Sequence, residues 1–171
     1  MKYKINAVYF SATGTTKKTV ERLAEELSQN FNEKTINFKD FTLPAGREDT
    51  LHFNEQDIVI VGVPVYAGRV PNVILNYLKG IKADGAKAIA VVLYGNRNYD
   101  DALIELKDIL GRNGFNVTAA GAFIGEHSFS KILAKNRPDE KDLEKVSDFA
   151  KQIYLKISSE NVKEPAIPGN V

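Results

Sequence analysis

Ser-Ala-Thr-Gly-Thr-Thr, at residues 11–16, is the stretch that decides how the rest of the chain is interpreted. It follows an apolar run at 5–10 that is typical of a buried strand, and it precedes a periodic run at 17–31 that predicts an amphipathic helix. A small, hydroxyl-rich turn between a strand and a helix leaves several backbone N–H groups free at the positive end of the helix. The sequence therefore predicts an anion-binding site at this turn.

Strand and helix patterns alternate along the chain. Near-continuous apolar runs at 57–63 and 87–94 are typical of strands that are covered on both faces. Weaker patterns predict the other elements, which are strands at 35–38 and 116–124 and helices at 71–78, 102–110 and 138–157. Residues 40–54 are expected to form an irregular connection with a weak helical turn. Because the crossovers are long enough to hold helices, the sequence predicts an α/β fold with one parallel sheet and helices on both faces.

The composition is that of one globular domain with a sizeable core. The chain has 171 residues, 43% of them hydrophobic, and its formal net charge of +1 gives no reason to expect nucleic acid or an anionic membrane as a partner. The absence of cysteine excludes disulfides, thiol catalysis and cysteine-ligated iron–sulfur clusters. We expect a domain at 1–160 and a tail or linker at 161–171. No signal peptide or membrane-spanning run is visible, so we expect a cytoplasmic protein.

Three loops with unusual residues are predicted to lie at one edge of the sheet. In doubly wound sheets, ligands bind beyond the carboxyl ends of the strands, where the strand order reverses. The loops at that edge would be 11–16, 64–71 and 94–100. The candidate ligand-binding residues are Ser11, Thr13, Gly14, Thr15 and Thr16 in the first loop, Pro64, Val65, Tyr66, Ala67, Gly68 and Arg69 in the second, and Gly95, Asn96, Arg97 and Tyr99 in the third. One ligand that touches all three loops would explain them together.

The first loop suits a terminal phosphate. Its four hydroxyl groups and the N–H groups freed by Gly14 can hold three phosphate oxygens without a fixed cation. The alternative is a plain N-cap, since Ser and Thr commonly precede helices. The loop is neither a Walker A loop nor a dinucleotide fingerprint, because the spaced glycines and a Gly-Lys-Ser/Thr ending are missing. Nucleoside triphosphate hydrolysis is therefore disfavoured.

The second and third loops suit a planar heterocycle with polar edges. Tyr66 and Tyr99 offer flat aromatic faces, and Ala67-Gly68 lets the backbone approach a ligand closely. Ordinary half-exposed packing would explain either tyrosine equally well. His127 follows the last predicted strand and is expected near the same edge, where it is either structural or functional.

At residues 11–16 the chain resembles the flavodoxins, whose phosphate loop has the pattern Ser/Thr-x-Thr-Gly-x-Thr between the first strand and the first helix. The resemblance covers about residues 4–157. It implies a three-layer sandwich with a five-stranded parallel sheet of order 2-1-3-4-5 and FMN bound across the strand ends. In this scheme 11–16 holds the FMN phosphate, and 64–69 and 94–100 flank the isoalloxazine ring. Residues 62–71 look more particularly like the flavodoxin half of proteins that fuse a flavodoxin to a ferredoxin.

By this resemblance, the protein would be an FMN-binding electron carrier that exchanges electrons with a redox partner protein, either ferredoxin-like or a reductase. In flavodoxins a backbone carbonyl in the loop after strand three contacts the reduced ring, and Ala67-Gly68 is the corresponding place. The chain has no tryptophan to stack on a flavin, so Tyr66 and Tyr99 are the candidates. Two alternatives stay open, namely an FMN-dependent NAD(P)H:quinone-type oxidoreductase and a non-redox module that has lost the flavin.

Overall fold

The computed structural model describes residues 2–126, 132, 134–160 and 162–171, so the candidate His127 lies outside the described residues. The strands in this part of the chain are β1 (Lys4–Tyr9), β2 (Ile36–Asp40), β3 (His52–Asn54), β4 (Asp57–Pro64), β5 (Lys82–Asp84), β6 (Lys87–Tyr94) and β7 (Asn116–Ile124). The helices are α1 (Thr15–Asn30), α2 (Leu75–Gly80), α3 (Ala102–Arg112) and α4 (Glu140–Ser158), with short 3-10 turns at Pro44–Arg47 and Asn72–Ile74.

The main sheet has five parallel strands in the order β2-β1-β4-β6-β7. Counted within this sheet alone, the order is 2-1-3-4-5, so the predicted topology is confirmed. Ile5 of β1 lies opposite Ile36 of β2 on one side and Ile58 of β4 on the other. The strand order reverses between β1 and β4, and in doubly wound sheets ligands bind beyond the carboxyl ends of the strands at such a reversal.

Apolar side chains fill a core on each face of the main sheet. Ile58 and Ile60 of β4 belong to the core under α1 and α4, whereas Val59 and Val61 belong to the core under α2 and α3. All four side chains are 0% exposed. Both faces of β4 are covered by helices, which explains its continuous apolar sequence and confirms the three-layer sandwich.

Gly62 sets the approach of α1 to β4. A Cβ atom at this position would overlap the side chain of Val20 and would lie 3.2 Å from the methyl carbon of Thr16. Both of these α1 residues are buried. The missing side chain lets the first turns of α1 pack close against the strand. The helix end that carries the first loop is therefore held on the sheet.

The structure differs from the prediction in one short sheet and in the starts of three helices. The helix predicted at 71–78 begins as the 3-10 turn at Asn72–Ile74 and continues as α2 from Leu75. The region 40–54, predicted to be a connection with a weak helical turn, contains the 3-10 turn at Pro44–Arg47 and, unexpectedly, β3, which pairs in parallel with β5 as a separate two-stranded sheet. Strands of three residues are too short to show alternation in a sequence. α1 begins at Thr15 rather than Lys17, and α4 begins at Glu140 because Asp139 is its N-cap in a capping box.

The C-terminal segment 162–171, expected to be a tail or linker, lies along α3. Ile167 packs against the core under α2 and α3. The amide of Asn170 donates to the Asp101 carboxylate at 3.0 Å, just before the start of α3. The segment therefore follows the surface of the domain to the carboxyl edge of the sheet.

Candidate functional site

Gly14 is the N-cap of α1 and shapes the first loop. Its φ of +90° lies in the left-handed region, which glycine adopts without the steric cost of a Cβ atom. Its carbonyl accepts the Lys18 N–H at 3.0 Å, which begins the hydrogen bonding of the helix. Beyond its chain neighbours, no atom lies within 4 Å of the place where a Cβ would be. The loop is therefore open on this side.

The backbone N–H groups of residues 12–16 have no hydrogen-bond partner in the part of the chain that the structure describes. The N–H groups on either side are engaged, because Ser11 donates to Thr42 Oγ1 at 2.9 Å and Lys17 donates to Ser11 Oγ at 3.0 Å. The first turn of α1 carries no acidic side chain. A run of consecutive free donors at the positive end of a helix is suited to an anion.

The threonine hydroxyls of the first loop lie in two environments. Those of Thr13 and Thr15 are 3.5 Å apart, and Thr13 is exposed. Thr16 is 1% exposed, and its methyl carbon faces Gly62, so this residue also takes part in packing α1 on the sheet. The loop therefore presents the hydroxyls of Thr13 and Thr15 beside its free N–H groups.

The second loop leaves the sheet at Tyr66. β4 ends at Pro64, and the half-buried Val65 donates its N–H to the Leu93 carbonyl at 2.8 Å. The Tyr66 ring is 39% exposed and stands edge-on to Phe10, with 6.4 Å between the ring centroids. An aromatic face is thus presented beside the end of β1.

Residues 66–69 form a tight turn. The N–H of Tyr66 donates to the Arg69 carbonyl at 2.9 Å, and the N–H of Arg69 donates to the Tyr66 carbonyl at 3.0 Å. Ala67 has a φ of +50° and Gly68 a φ of +75°, as a type I′ turn requires. Positive φ is unfavourable for alanine, so the surrounding contacts hold Ala67 in this conformation.

Arg69 points to α3. Its Nε donates to Glu105 Oε2, and this ion pair raises the pKa of the Arg69 guanidinium. The Glu105 side chain is 10% exposed, whereas that of Arg69 is 54% exposed. The positive charge of Arg69 is therefore balanced within the domain, and its contact with a ligand stays a prediction.

The third loop has an exposed tip. Gly95 is half-buried, whereas Asn96 and Arg97 are exposed. Asn96 has a φ of +62° and Asp100 a φ of +44°. The Asn98 side-chain oxygen accepts the Asp100 N–H at 2.9 Å, which fixes the last turn of the loop before α3.

Tyr99 is the less exposed of the two candidate aromatic side chains. It is half-buried, its ring centroid lies 5.4 Å from that of Tyr94, and it packs against the core under α2 and α3. Its carbonyl accepts the Ala102 N–H at 3.0 Å. Of the two tyrosines, Tyr66 presents the larger free face.

The second and third loops contact each other at Gly68. The Gly68 carbonyl accepts the Asp101 N–H at 3.1 Å, and a Cβ at Gly68 would lie 2.5 Å from Asp100 Oδ2. The Gly68 carbonyl is thus already engaged. Among the described residues, the Ala67 carbonyl and the Gly68 N–H have no partner, so this one peptide unit offers an acceptor and a donor.

The start of the loop after β7 touches the first loop, and Gly125 there was not among the predicted site residues. A Cβ at Gly125 would lie 2.9 Å from Thr15 Oγ1, and the Gly125 N–H donates to the Tyr94 carbonyl at 3.0 Å. Lys18 Nζ donates to the Pro138 carbonyl at 3.2 Å. The first loop and the start of α1 are therefore supported by the segments on both sides of the stretch that the structure leaves undescribed.

The segment after β2 also supports the first loop and was missed. Arg47 donates to the carbonyls of Phe41 at 2.9 Å and Thr42 at 2.7 Å, and its Cζ lies 5.9 Å from the Phe10 ring centroid. These bonds hold Thr42 where it accepts the Ser11 N–H. No motif marks this arrangement, since only the pairing of β2 with β1 brings Thr42 to Ser11.

Two kinds of feature are absent from residues 2–126, 132, 134–160 and 162–171. No group of three or more His, Cys, Asp or Glu side chains is placed to hold a metal ion. No helix has both the length and the apolar character that crossing a membrane requires.

Comparisons with known proteins identify the family and the fold. The model of the flavodoxin domain family matches residues 7–126, which is well over half of the chain. No curated protein matches in sequence. Among solved structures, the chain is similar to a flavodoxin from the domain Archaea at 17% identity, with a TM-score of 0.60 and coverage of 91% of this chain and 99% of that one.

Two further structures show the same fold. Oxidised flavodoxin 2 from Bacillus cereus is 20% identical, with a TM-score of 0.63 and coverage of 90% of this chain and 99% of that one. An NADH:FMN oxidoreductase in its apo form is 15% identical, with a TM-score of 0.60 and coverage of 91% and 90%. At these identities the structural likeness shows the fold alone. The family match, however, shows the family, and the chain belongs to the flavodoxin domain family.

Proposed function

We propose that the protein binds FMN at the three loops and carries electrons to and from a redox partner protein in the cytoplasm. The observation that carries this proposal is the run of free N–H groups at residues 12–16, at the N-terminus of α1 in a flavodoxin domain. A terminal phosphate brings negative charge and three oxygens that need several donors. The helix end and the free amides supply both the donors and the positive potential.

The side chains of the first loop fit a phosphate. Thr13 and Thr15 place two hydroxyls 3.5 Å apart beside the amides, and the first turn of α1 has no acidic residue to repel an anion. Lys17 Nζ lies 3.9 Å from Glu21 Oε1, so neutral donors rather than a free cation dominate the loop. This arrangement favours a phosphate held by hydrogen bonds.

The second and third loops fit the ring of a flavin. Tyr66 presents an aromatic face, and the Ala67–Gly68 peptide unit offers one acceptor and one donor to a polar ring edge. When bound, FMN supplies one- and two-electron redox chemistry. The protein sets the charge around the ring, where Arg69 is balanced by Glu105 and the Asp100 carboxylate lies next to Gly68.

The test compares FMN with riboflavin, which lacks the phosphate. Apoprotein is titrated with each flavin, for the wild type and for the double variant Thr13→Ala/Thr15→Ala. We expect the double variant to weaken FMN binding about tenfold or more and riboflavin binding about twofold or less, because hydrogen bonds to charged groups contribute roughly 1.5–3 kcal/mol each. Thr35→Ala, at an exposed position before β2 and at the opposite edge of the sheet, is the matched control. Equal losses for the two flavins would contradict the proposed phosphate site.

A second measurement separates the electron carrier from an enzyme on the same scaffold. An FMN-dependent NAD(P)H:quinone-type oxidoreductase would oxidise NAD(P)H in the presence of a quinone. We expect the FMN-loaded protein to show no NAD(P)H oxidation above that of free FMN while it still accepts electrons from a chemical reductant. A protein that binds neither flavin would instead be a module that has lost the cofactor.

A further inference from the structure

The C-terminal segment 162–171 runs antiparallel to α3 and ends beside the loops of the proposed flavin site. Glu164 Oε2 lies 3.1 Å from Lys107 Nζ in the middle of α3. Further along the segment, a Cβ at Gly169 would lie 3.0 Å from Ile104 Cγ2 in the first turn of that helix. Because α3 begins at the carboxyl edge of the sheet, the segment brings its last residues to that edge.

Asp101 joins this segment to the second loop. Its Oδ1 accepts the Asn170 N–H at 3.0 Å, and its own N–H donates to the Gly68 carbonyl at 3.1 Å. Asp101 is the N-cap residue of α3, yet its side chain makes no capping hydrogen bond. An N-cap carboxylate ordinarily accepts an N–H of the first helical turn, whereas the Asp101 carboxylate accepts the Asn170 N–H of the C-terminal segment.

A glycine makes the contact between the segment and Asp101 possible. Gly169 has a φ of +127°, and a Cβ there would lie 2.8 Å from Asp101 Oδ1. Any other residue at this position would be strained and would push the segment away from α3. The close approach at Asp101 therefore depends on the missing side chain.

The first turn of α3 is tied to the second loop twice. Asp101 holds the Gly68 carbonyl, and Glu105, one helical turn later, forms the ion pair with Arg69. Asp101 also ends the third loop, directly after Asp100, whose carboxylate lies against Gly68. A displacement of this helical turn would therefore move both loops.

We propose that the segment 162–171 is a positioning element of the flavin site, which acts through Asp101 on the loops 64–71 and 94–100. This inference rests on the proposed function, since it concerns the surroundings of the bound ring. Asp101 and Asn170 are positioning residues that fix the loops without contacting the ligand. The first loop lies on α1 and is not part of this chain of contacts.

The test removes one N–H from the segment. Asn170→Pro deletes the donor to Asp101, whereas the matched control Asn170→Ala keeps it. Both variants are titrated with FMN and with riboflavin, and the visible circular dichroism of the bound flavin is recorded. We expect Asn170→Pro to weaken both flavins equally, by about three- to tenfold as for the loss of one hydrogen bond, and to change the dichroism. Asn170→Ala should stay within about twofold of the wild type.

A second pair of variants tests the same contact sterically. Gly169→Val should separate the segment from Asp101 and should again weaken both flavins equally. Ala166→Val, at an exposed position of the same segment, should bind both flavins like the wild type. Thermal unfolding of each apoprotein verifies that the variants remain folded, as expected for exposed positions.

The outcomes distinguish this inference from the proposed function. Unchanged affinities and dichroism in Asn170→Pro and Gly169→Val would overturn the positioning role, while the wild type would still bind FMN and the Thr13/Thr15 variant would still discriminate between the flavins. A loss confined to FMN would also overturn it, because the effect would then act at the phosphate. A wild-type protein that binds neither flavin would overturn both proposals.

Discussion

The first loop and the pair formed by the second and third loops are built in opposite ways. In the first loop, the N–H groups of residues 12–16 are free among the described residues, and the conformation depends on Gly14 and on the start of α1. In the pair, the loops are fastened to each other at Gly68 and to α3 through Arg69 and Asp101. The free donors of the first loop come from one short stretch of sequence, although Thr42 and Gly125 contact it from distant segments. The second and third loops are held in place by contacts between distant segments.

This difference indicates how each part responds to change. Local substitutions in the first loop should alter the binding of one chemical group, the phosphate. The effects of substitutions in the interlocked loops should extend to both loops, because these loops contact each other at Gly68 and are joined to α3 through Arg69 and Asp101.

The largest effect is expected from valine at Gly68 in the interlocked loops, and the same substitution at Gly14 in the first loop provides the comparison. Gly68→Val puts a β-branched residue at a φ of +75° and forces it against Asp100 Oδ2, which is 2.5 Å from the required Cβ position. Because both interlocked loops must move, we expect FMN and riboflavin binding to weaken together by about tenfold or more. Titration of the apoprotein with each flavin measures this.

Gly14→Val is the matched variant in the first loop. Its φ of +90° also strains valine, but no atom beyond the chain neighbours lies within 4 Å of the new Cβ. We expect FMN binding to weaken clearly and riboflavin binding to change by less than about twofold, because only the amides of the loop reorient. If Gly14→Val and Gly68→Val gave the same ratio of FMN to riboflavin losses, the contrast between the regions would be wrong.

An acid-sensitive ion pair lies at the start of α4, next to Pro138, whose carbonyl contacts Lys18 in the first turn of α1. Arg137 binds the Asp142 carboxylate and lowers the pKa of Asp142 to about 2, below its ordinary value of 3.8. A lowered pKa stabilises the fold above about pH 4, and this contribution is lost as the pH falls from about 4 to 2. We expect Asp142→Asn to lower the free energy of unfolding by about 1 kcal/mol at pH 7 and to flatten its acid dependence, as measured by urea unfolding.

Asp148→Asn serves as the control for this measurement. Asp148 is exposed on the same helix and forms no ion pair among the described residues. Its replacement should leave both the stability at pH 7 and the slope below pH 4 as in the wild type. The assignment to Asp142 fails if the two variants have the same acid dependence.

The smallest effect is expected from the charge beside Gly68. The carboxylate of Asp100 disfavours added negative charge on a neighbouring ring, so Asp100→Asn should raise the reduction potential of bound FMN by about 25 mV, from a Coulomb interaction in high dielectric. Asp108→Asn, whose carboxylate pairs with Arg112 on α3, should leave the potential unchanged. Anaerobic reduction against a reference dye measures both, and a lower potential in Asp100→Asn would contradict the electrostatic effect.

The main sheet was predictable because its strands are buried on both faces. β4 and β6 have continuous apolar sequences, which are typical of central parallel strands. β3 and β5 were missed because three residues carry no period, and they form only where the segments before β4 and β6 meet. A strand that is buried between two helical layers has a recognisable apolar sequence, whereas a strand pair of three residues each has no recognisable pattern.

The free donors of the first loop were predictable because they come from residues that are consecutive in the sequence. The free donors follow from a strand, a glycine and a helix in sequence, and Gly14 indeed takes the left-handed conformation. That the loop binds a phosphate, and that residues 62–71 resemble a protein fused to a ferredoxin, stay predictions.

The interlocked loops could not be predicted in detail. A glycine at 68 suggests a turn, but nothing in the sequence indicates that Ala67 adopts a φ of +50° or that Arg69 turns to Glu105. Nor does the sequence indicate that the segment predicted as a tail or linker lies along α3 and contacts Asp101. These contacts join residues that are far apart in the chain, so no local pattern reports them.

The close packing at Gly62 has a consequence for the evolution and design of this domain. Positions 62, 16 and 20 share one small volume between β4 and α1, so any enlargement of one must be matched by a reduction of another. We expect Gly62→Ala to be rescued in part by Val20→Ala, with the two changes coupled rather than additive. The amides of residues 12–16 lie at the N-terminus of α1. The distance between β4 and α1, which Gly62 sets, therefore also determines the position and direction of these N–H donors at the surface.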